Sequence, residues 1–434
     1  MEVNPGYKQT EVGVIPEDWH TEAVADLVEP TAPICYGVVQ VGQHTESGVP
    51  IVAIKFVKEI ARAPLHRTAI SLEQPYARSR LKGGDVLISI KGTIGRVGIV
   101  PNGFEGNISR ELARLRISKN TCAEYIAHQL EASATQERIM RSVVGTTRLE
   151  FSIATLRKFQ LPLPPTDIEQ LAIAQALSHV DGLLGGLDRL IAKKRDLKQA
   201  AMQQLLSGQT RLPGFGPTAF FKEYAFGSIP DDWDVKPLKS VSTMNGRIGW
   251  QGLKQEEFTV SPDDPFLITG MNFKDGKIRW DEVYHIPEAR YLEALPIQLR
   301  ANDLLMTKDG TIGKLLYVDR IPHPGRASLN SHLLVFRPIA GQYDPRFLFY
   351  QLSSPTFAQH IELHKSGTTF FGLSQTATGK YPTILPSVPE QTDIAEVLTE
   401  MDAELAALEQ RREKTRALKQ AMMQELLTGR IRLA

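Results

Sequence analysis

The chain has 434 residues, of which 42% are hydrophobic, and its 50 Lys and Arg stand against 49 Asp and Glu. One hydrophobic core does not serve that length, so two or more domains are expected, and no apolar run approaches a membrane span. A net charge of +1 argues neither for nor against nucleic acid, which needs only a local basic face, while the two cysteines, Cys35 and Cys122, exclude a disulfide framework or a cysteine-rich zinc site and read as small core residues.

The opening MEVNPGYKQTEVG is polar and lacks the apolar stretch of a signal peptide, so a cytoplasmic protein is expected. Gly13 to Val28, GVIPEDWHTEAVADLV, returns as GSIPDDWDVKPLKSVS from Gly227 to Ser242, an offset of 227 − 13 = 214. Pro16 and Pro230 set a turn, and Trp19 and Trp233 are large apolar anchors that pin the leading strand to a core. Leu81 to Val100 matches Leu299 to Val318 at 299 − 81 = 218. Short β-rich runs flank Gly-Thr-Ile-Gly in both copies, which predicts a tight hairpin at Gly92–Gly95 and at Gly310–Gly313. Lys91 and Arg96 flank the first turn, Lys308 and Lys314 the second. Such a hairpin has solvated basic flanks, or it touches phosphate or a groove.

Tyr125 to Thr147 matches Phe347 to Thr369 at 347 − 125 = 222. Each copy starts as a helix and ends in Gly-Thr-Thr at Gly145 or Gly367, which is either a plain loop or a hydroxyl-rich one that brings N–H groups to an anion. Between Arg247 and Tyr291 the second copy shows little likeness to the first, so a fixed frame carries variable loops.

Prolines in LPLPP at Leu161 and ILPSVP at Ile384 break the chain before two long helices, Glu169 to Leu206 and Glu390 to Leu427, offset by 390 − 169 = 221. Leu177, Val180, Leu184, Leu187 and Ile191 recur three and four apart, as do Leu398, Met401, Leu405 and Leu408; each helix thus has a narrow apolar seam that needs a partner. Gly208 and Gly429 stop the runs in left-handed backbone. At 1.5 Å per residue each helix spans roughly 55–60 Å, a spacer's length. Gly182, Gly185 and Gly186 fall opposite Ala403, Ala406 and Ala407 in the repeat and predict close helix approach there. Arg189 to Lys198 and Arg411 to Lys419 are basic, either a solvated face or a contact with an acidic partner or DNA. Met202, Leu206, Met423 and Leu427 are expected to be left over for a partner's helix.

No Gly-x-Gly-x-x-Gly follows a strand, no Walker loop is present, and the histidines lack metal spacing. Pro262-Asp263 with Asp275-Gly276-Lys277 superficially resembles the acidic-plus-lysine set of metal-dependent nucleases, yet KDGKI reads as a hairpin tip. An Asn-Pro-Pro-aromatic motif of base N-methyltransferases is absent too. The chain reads as non-catalytic, with no cofactor or metal of its own.

In this order and duplicated, the motifs make the chain resemble the specificity (S) subunit of type I restriction-modification enzymes: YKQTEVGVIPEDW from Tyr7, the Gly-Thr-Ile-Gly turns, LPLPP leading to Glu169-Gln170, LPSVPEQ, and the LKQAMMQELLTGRIRL ending. The resemblance implies an α+β protein with two α/β target-recognition domains in tandem, each followed by a long helix, the helices pairing as an antiparallel coiled coil. The expected divisions are 1–165 for the first domain, 166–210 for the central helix, 211–226 for a linker, 227–386 for the second domain and 387–434 for the C-terminal helix. Each domain would read one half of a split, asymmetric double-stranded DNA target, with half-sites about one DNA turn, roughly 34–36 Å, apart. Two modification subunits would carry S-adenosylmethionine, and two restriction (motor-nuclease) subunits would use ATP and Mg. DNA contacts are expected at Lys91, Thr93, Arg96, Arg110, Thr147 and Arg148 in the first domain and at Lys308, Thr311, Lys314, His332, Thr368 and Thr369 in the second, chiefly to phosphate. Two other readings stay open: a nuclease with its own metal site, and a coiled-coil scaffold that never touches DNA.

Overall fold

The computed structural model describes residues 5–145, 149–217, 220–247, 252–274, 276–367 and 371–433. It divides into two compact units, Met1–Arg189 with Glu409–Ala434, and Leu190–Leu408.

The first unit is built on a four-stranded antiparallel sheet in the order Cys35–Tyr36, Leu112–Leu115, Val86–Ser89, Val97–Ile99. Val86–Ser89 is buried at every position because both faces are covered. Val86 and Ile88 meet the core around Trp19, Tyr125 and Phe151, whereas Leu87 meets Val52, Ile108 and Leu112. Those last partners come partly from a three-stranded sheet, His66–Thr68, Val49–Val52, Asn107–Ile108, whose second pairing is parallel. The second unit repeats the plan. Its sheet runs Ser242–Asn245, Leu333–Pro338, Leu304–Thr307, Leu315–Tyr317, and its three-stranded sheet runs Tyr284–His285, Phe266–Ile268, Ala327–Leu329. Leu304 and Met306 face one core and Leu305 the other. The KDGKI segment does sit on a hairpin, Phe273–Lys274 paired with Lys277–Ile278; Asp275 lies outside the described residues.

In each unit the leading strand pairs with the strand that precedes a long helix: His20–Ala23 with Gln160–Leu163, and Asp234–Pro237 with Pro382–Leu385. Trp19 and Trp233 are buried, as anchors should be. The long helices are Asp167–Ser207 and Val388–Leu426. Each runs from one unit into the other, so each unit holds the start of one helix and the end of its partner. In the first unit Asp181 pairs with Lys419 at 2.7 Å and Asp188 with Arg412 at 3.5 Å. In the second, Lys194 pairs with Glu404 at 2.7 Å and Lys198 with Asp402 at 2.5 Å. Numbers rise on one helix as they fall on the other, which makes the pairing antiparallel. Leu177, Leu187, Ile191, Leu398 and Leu405 of the predicted seam are buried.

The Glu-Gln pair that begins both helices ties them to the domains. Gln170 Oε1 accepts from the Cys122 N–H and Gln391 Oε1 from the Asp344 N–H, both at 3.0 Å, at residues that cap the following helices. Glu169 and Glu390 take the guanidiniums of Arg432 and Arg211.

Three expectations are corrected. A Cβ at Gly182 or Gly186 would meet nothing within 4 Å, and at Gly185 it would meet Arg189 Nη1 at 3.5 Å. The glycines therefore mark no close helix approach; larger seam residues and ion pairs join the helices. Leu206 and Leu427 are not left over either: Leu206 packs with Trp233 and Leu398, and Leu427 with Trp19 and Leu130, because each helix end reaches back to a domain's leading strand. Apolar side chains that the helices do leave exposed include Ile168, Leu171, Leu197, Val388 and Leu418. Finally, each single helix predicted after Tyr125 or Phe347 is two. Ala123–Glu131 and Ser133–Arg141 part at Ala132, which has an extended ψ of 137°, while Pro355, capped by Ser354, opens a new helix after Pro345–Leu352. Cys35 is buried but Cys122 is half-buried, and both thiols are free.

Candidate nucleic-acid interface

At one end of each central sheet four loops meet. The first is the Gly-Thr-Ile-Gly turn. Gly92 and Gly95 have φ of +70° and +84°, Gly310 and Gly313 of +71° and +81°, backbone that side chains with a Cβ rarely adopt. A hydroxyl at the end of the incoming strand fixes the turn. Ser89 Oγ donates to the Thr93 carbonyl and accepts from the Arg96 N–H at 2.8 Å; Thr307 Oγ1 does the same with Thr311 and, at 3.0 Å, Lys314. Sequence reasoning missed Ser89 and Thr307, although both copies end their strand in a hydroxyl residue.

The second loop joins the parallel strand to the central one. The Ile90 N–H bonds to the Glu111 carbonyl at 2.8 Å and the Lys308 N–H to that of His332 at 2.9 Å, which brings Arg110 and His332 beside the turn. The third loop holds Gly145 and Gly367. Its arms close on themselves, Val144 with Glu150 and Ser366 with Gly372, and Phe151 and Leu373 donate to the Ile90 and Lys308 carbonyls. Thr147, Arg148, Thr368 and Thr369 lie outside the described residues. The fourth loop, Ala53–Phe56 or Thr269–Asn272, is tied in by the Ser109 N–H to the Val52 carbonyl and the Asn330 N–H to the Ile268 carbonyl, both 2.9 Å.

Thus Lys91, Thr93, Arg96 and Arg110 converge in the first unit, and Lys308, Thr311, Lys314 and His332 in the second. Their electrostatic states differ. Lys91 Nζ lies 3.3 Å from Glu150, Arg110 Nε 3.2 Å from Glu111, Lys308 Nζ 3.8 Å from Asp309, and His332 Nδ1 3.2 Å from that same carboxylate. Arg96 and Lys314 are exposed and have no ion pair among the described residues. These two can meet an anion without first giving up a carboxylate. Lys91 and Lys308 flank their turns unequally: Lys91 is the frame counterpart of Asp309, and Lys308 that of Ile90, at 308 − 90 = 218. Sequence reading also passed over Lys365, whose ammonium lies 4.9 Å from the centroid of the half-exposed Phe371 ring. Cations, hydroxyls and loop N–H groups gathered at one edge can bind phosphate and approach a groove.

A model of the type I restriction modification DNA specificity domain matches residues 16–191 and again 230–417. The chain belongs to that family. Among its relatives, a putative type I restriction enzyme MjaX specificity subunit from Methanocaldococcus jannaschii is 26% identical over 98% of this chain and 97% of its own. The MjaVIII specificity subunit of the same organism is 25% identical over 96% and 94%. In fold, the chain is similar to the crystal structure of a type I restriction-modification system S subunit from M. genitalium, with a TM-score of 0.61 at 14% identity over 98% of both chains. It is also similar to a chain from a structural study of complex assembly in the type I R-M system, with a TM-score of 0.53 at 16% identity over 96% of this chain and 99% of the other. The two family matches begin near Trp19 and Trp233 and run into the long helices, so the family unit is a domain with its helix. Among the described residues, no helix is long and apolar enough to cross a membrane, and no group of three or more His, Cys, Asp or Glu stands ready to hold a metal.

Proposed function

We propose that this chain is the DNA-reading subunit of a type I restriction-modification complex, each domain reading one half of a split, asymmetric target. The observation that carries this reading is the duplicated frame with unlike loops: equal turns, held by equal bonds, stand beside loops whose side chains differ between the two copies. Arg96, Thr93, Lys314 and Thr311 contact phosphate and set register, with Lys91, Arg110, Lys308 and His332 beside them; Thr147, Arg148, Thr368 and Thr369 belong to the same proposal from their place in the Gly-Thr-Thr loops. The paired helices fix the gap between half-sites and dock two modification subunits. Catalysis rests with those partners, which bind S-adenosylmethionine, and with two motor-nuclease subunits that use ATP and Mg, in the cytoplasm; the chain itself holds no cofactor.

Binding of defined duplexes by this chain with its modification subunit tests the reading. A split target bound far above random DNA is expected, with affinity falling as salt rises. Sequence-independent binding at every salt concentration contradicts it, and a protein-only scaffold predicts no DNA binding at all.

A further inference from the structure

Resting on that reading, we propose that Lys55 and Met271 are base-reading side chains at one shared seat, Lys55 selecting guanine in one half-site and Met271 selecting thymine in the other. The Gly-Thr-Ile-Gly turn is the same in both domains and so cannot distinguish unlike half-sites. A discriminating position must occupy the same place on the frame and differ in chemistry. The turn that follows the middle strand of each three-stranded sheet meets both conditions. Val52 ends that strand in one copy and Ile268 in the other, and Lys55 and Met271 each stand three residues on, so both pairs share the offset 271 − 55 = 216.

The seat adjoins the phosphate-binding turn in each unit. Ile54 Cδ1 lies 3.5 Å from where a Cβ on Gly92 would stand, and a Cβ on Gly270 would lie 3.1 Å from Thr307 Cγ2. It is also rigid. The Thr269 N–H and hydroxyl both donate to Asn272 Oδ1 at 2.8 Å, and Asn272 Nδ2 donates to the Glu282 carbonyl at 3.1 Å. Thr269 and Asn272 are buried, yet Met271 between them is 71% exposed. In the first unit the Phe56 N–H closes the turn on the Ala53 carbonyl at 2.9 Å, and the exposed Lys55 rests its ammonium 4.5 Å from the Phe56 ring centroid. Each turn thus projects one long unbranched side chain beside the groups that grip the backbone.

Their chemistries select different bases. An ammonium donates to the O6 and N7 acceptors that guanine shows in the major groove. A thioether chain offers no donor and gains by covering the thymine methyl. Phosphate contacts hold the register, and the seat side chain then meets one base.

The test uses the full chain assembled with its modification subunits, presented with random-sequence DNA, and reads the methylated sequences for wild type, Met271→Lys and Lys55→Met. The expected result is a loss of about tenfold in preference for thymine at one position of one half-site for Met271→Lys, and for guanine at one position of the other half-site for Lys55→Met. The remaining positions and the gap stay as they were. Unchanged motifs in both variants, or a loss uniform across all sequences, overturn the seat. A wild type without a split motif instead overturns the underlying function, which separates the two failures.

Discussion

Arg432 Nη2 donates to Glu169 Oε2 at 2.8 Å across 263 residues of sequence. Arg211 repeats the bond to Glu390 at 2.7 Å, and Asp18 and Asp232 complete the two sets at 2.9 and 3.1 Å. Each guanidinium also lies near a tryptophan, Arg432 by Trp19 and Arg211 by Trp233. A helix start, a leading strand and the residue just beyond the other helix's end are thereby held at one point in each unit. Both carboxylates are buried, Glu390 at 1% and Glu169 at 7% exposed, but the cations differ: Arg211 is 7% exposed and Arg432 40%, so water already reaches the Arg432 pair. Removing Arg211 strands a buried carboxylate, which costs about 3–5 kcal/mol. Arg211→Ala should therefore lower the urea midpoint clearly more than Arg432→Ala, and equal midpoints would show that burial does not set the strength of this clamp.

The hydroxyl under each turn separates order from fold. Thr307→Val removes two hydrogen bonds at a strand end, worth about 1 kcal/mol each. Stability should fall modestly, whereas DNA affinity should fall about tenfold because the turn no longer presents Thr311 and Lys314 in one geometry. Fluorescence titration beside a melting curve distinguishes these; unchanged affinity would mean that the turn does not touch DNA.

Arg96 and Lys314 differ from the paired cations around them. Substituting either with Ala should weaken binding to all sequences alike and reduce the slope of log affinity against log salt by about one. A change confined to one base position would reassign the residue from phosphate to base contact.

Two histidines make stability depend on acidity. Burial, reinforced by Lys419, holds His128 below the usual imidazole value, and burial does the same to His360. The unfolded chain then binds protons first, so each contribution is complete above about pH 6.5 and is lost as pH falls through the folded value. His128 Nε2 stays within 3.2 Å of Ser178 Oγ, a contact that His128→Gln can keep. Denaturation midpoints should drop between pH 7.5 and 5.5 and drop less in His128→Gln; an equal drop in both proteins would assign the effect elsewhere.

Inserting four residues after Ile191 and four at the facing place after Leu408 lengthens both helices by about 6 Å, keeping them in step. The gap between half-sites should widen by roughly two base pairs at about 3.4 Å each. An unchanged gap in an active complex would show that the helices do not measure it.

Duplication made much of this legible. Trp19 and Trp233, the hairpin turns and the ends at Gly208 and Gly429 each appear twice, and each holds the place its residue type predicts. What stayed hidden depends on pairings between distant segments. Nothing local shows that Arg110 follows a strand parallel to Val49–Val52, so the gathering of four loops was invisible. Leu206 and Leu427 read as spare helix positions because their partners, Trp233 and Trp19, stand just before strands far away in the chain. The glycines of the first helix read as a close contact because helix periodicity says which residues share a face but not which face is covered. Ala132 gave no warning of a helix break, since alanine itself favours the helix it interrupts.

The most direct measurement is a genome-wide map of methylated bases in cells carrying this chain with its modification subunit. The account predicts one asymmetric motif of two defined halves separated by a constant stretch of unspecified bases. A single uninterrupted motif, or methylation without sequence preference, would contradict it.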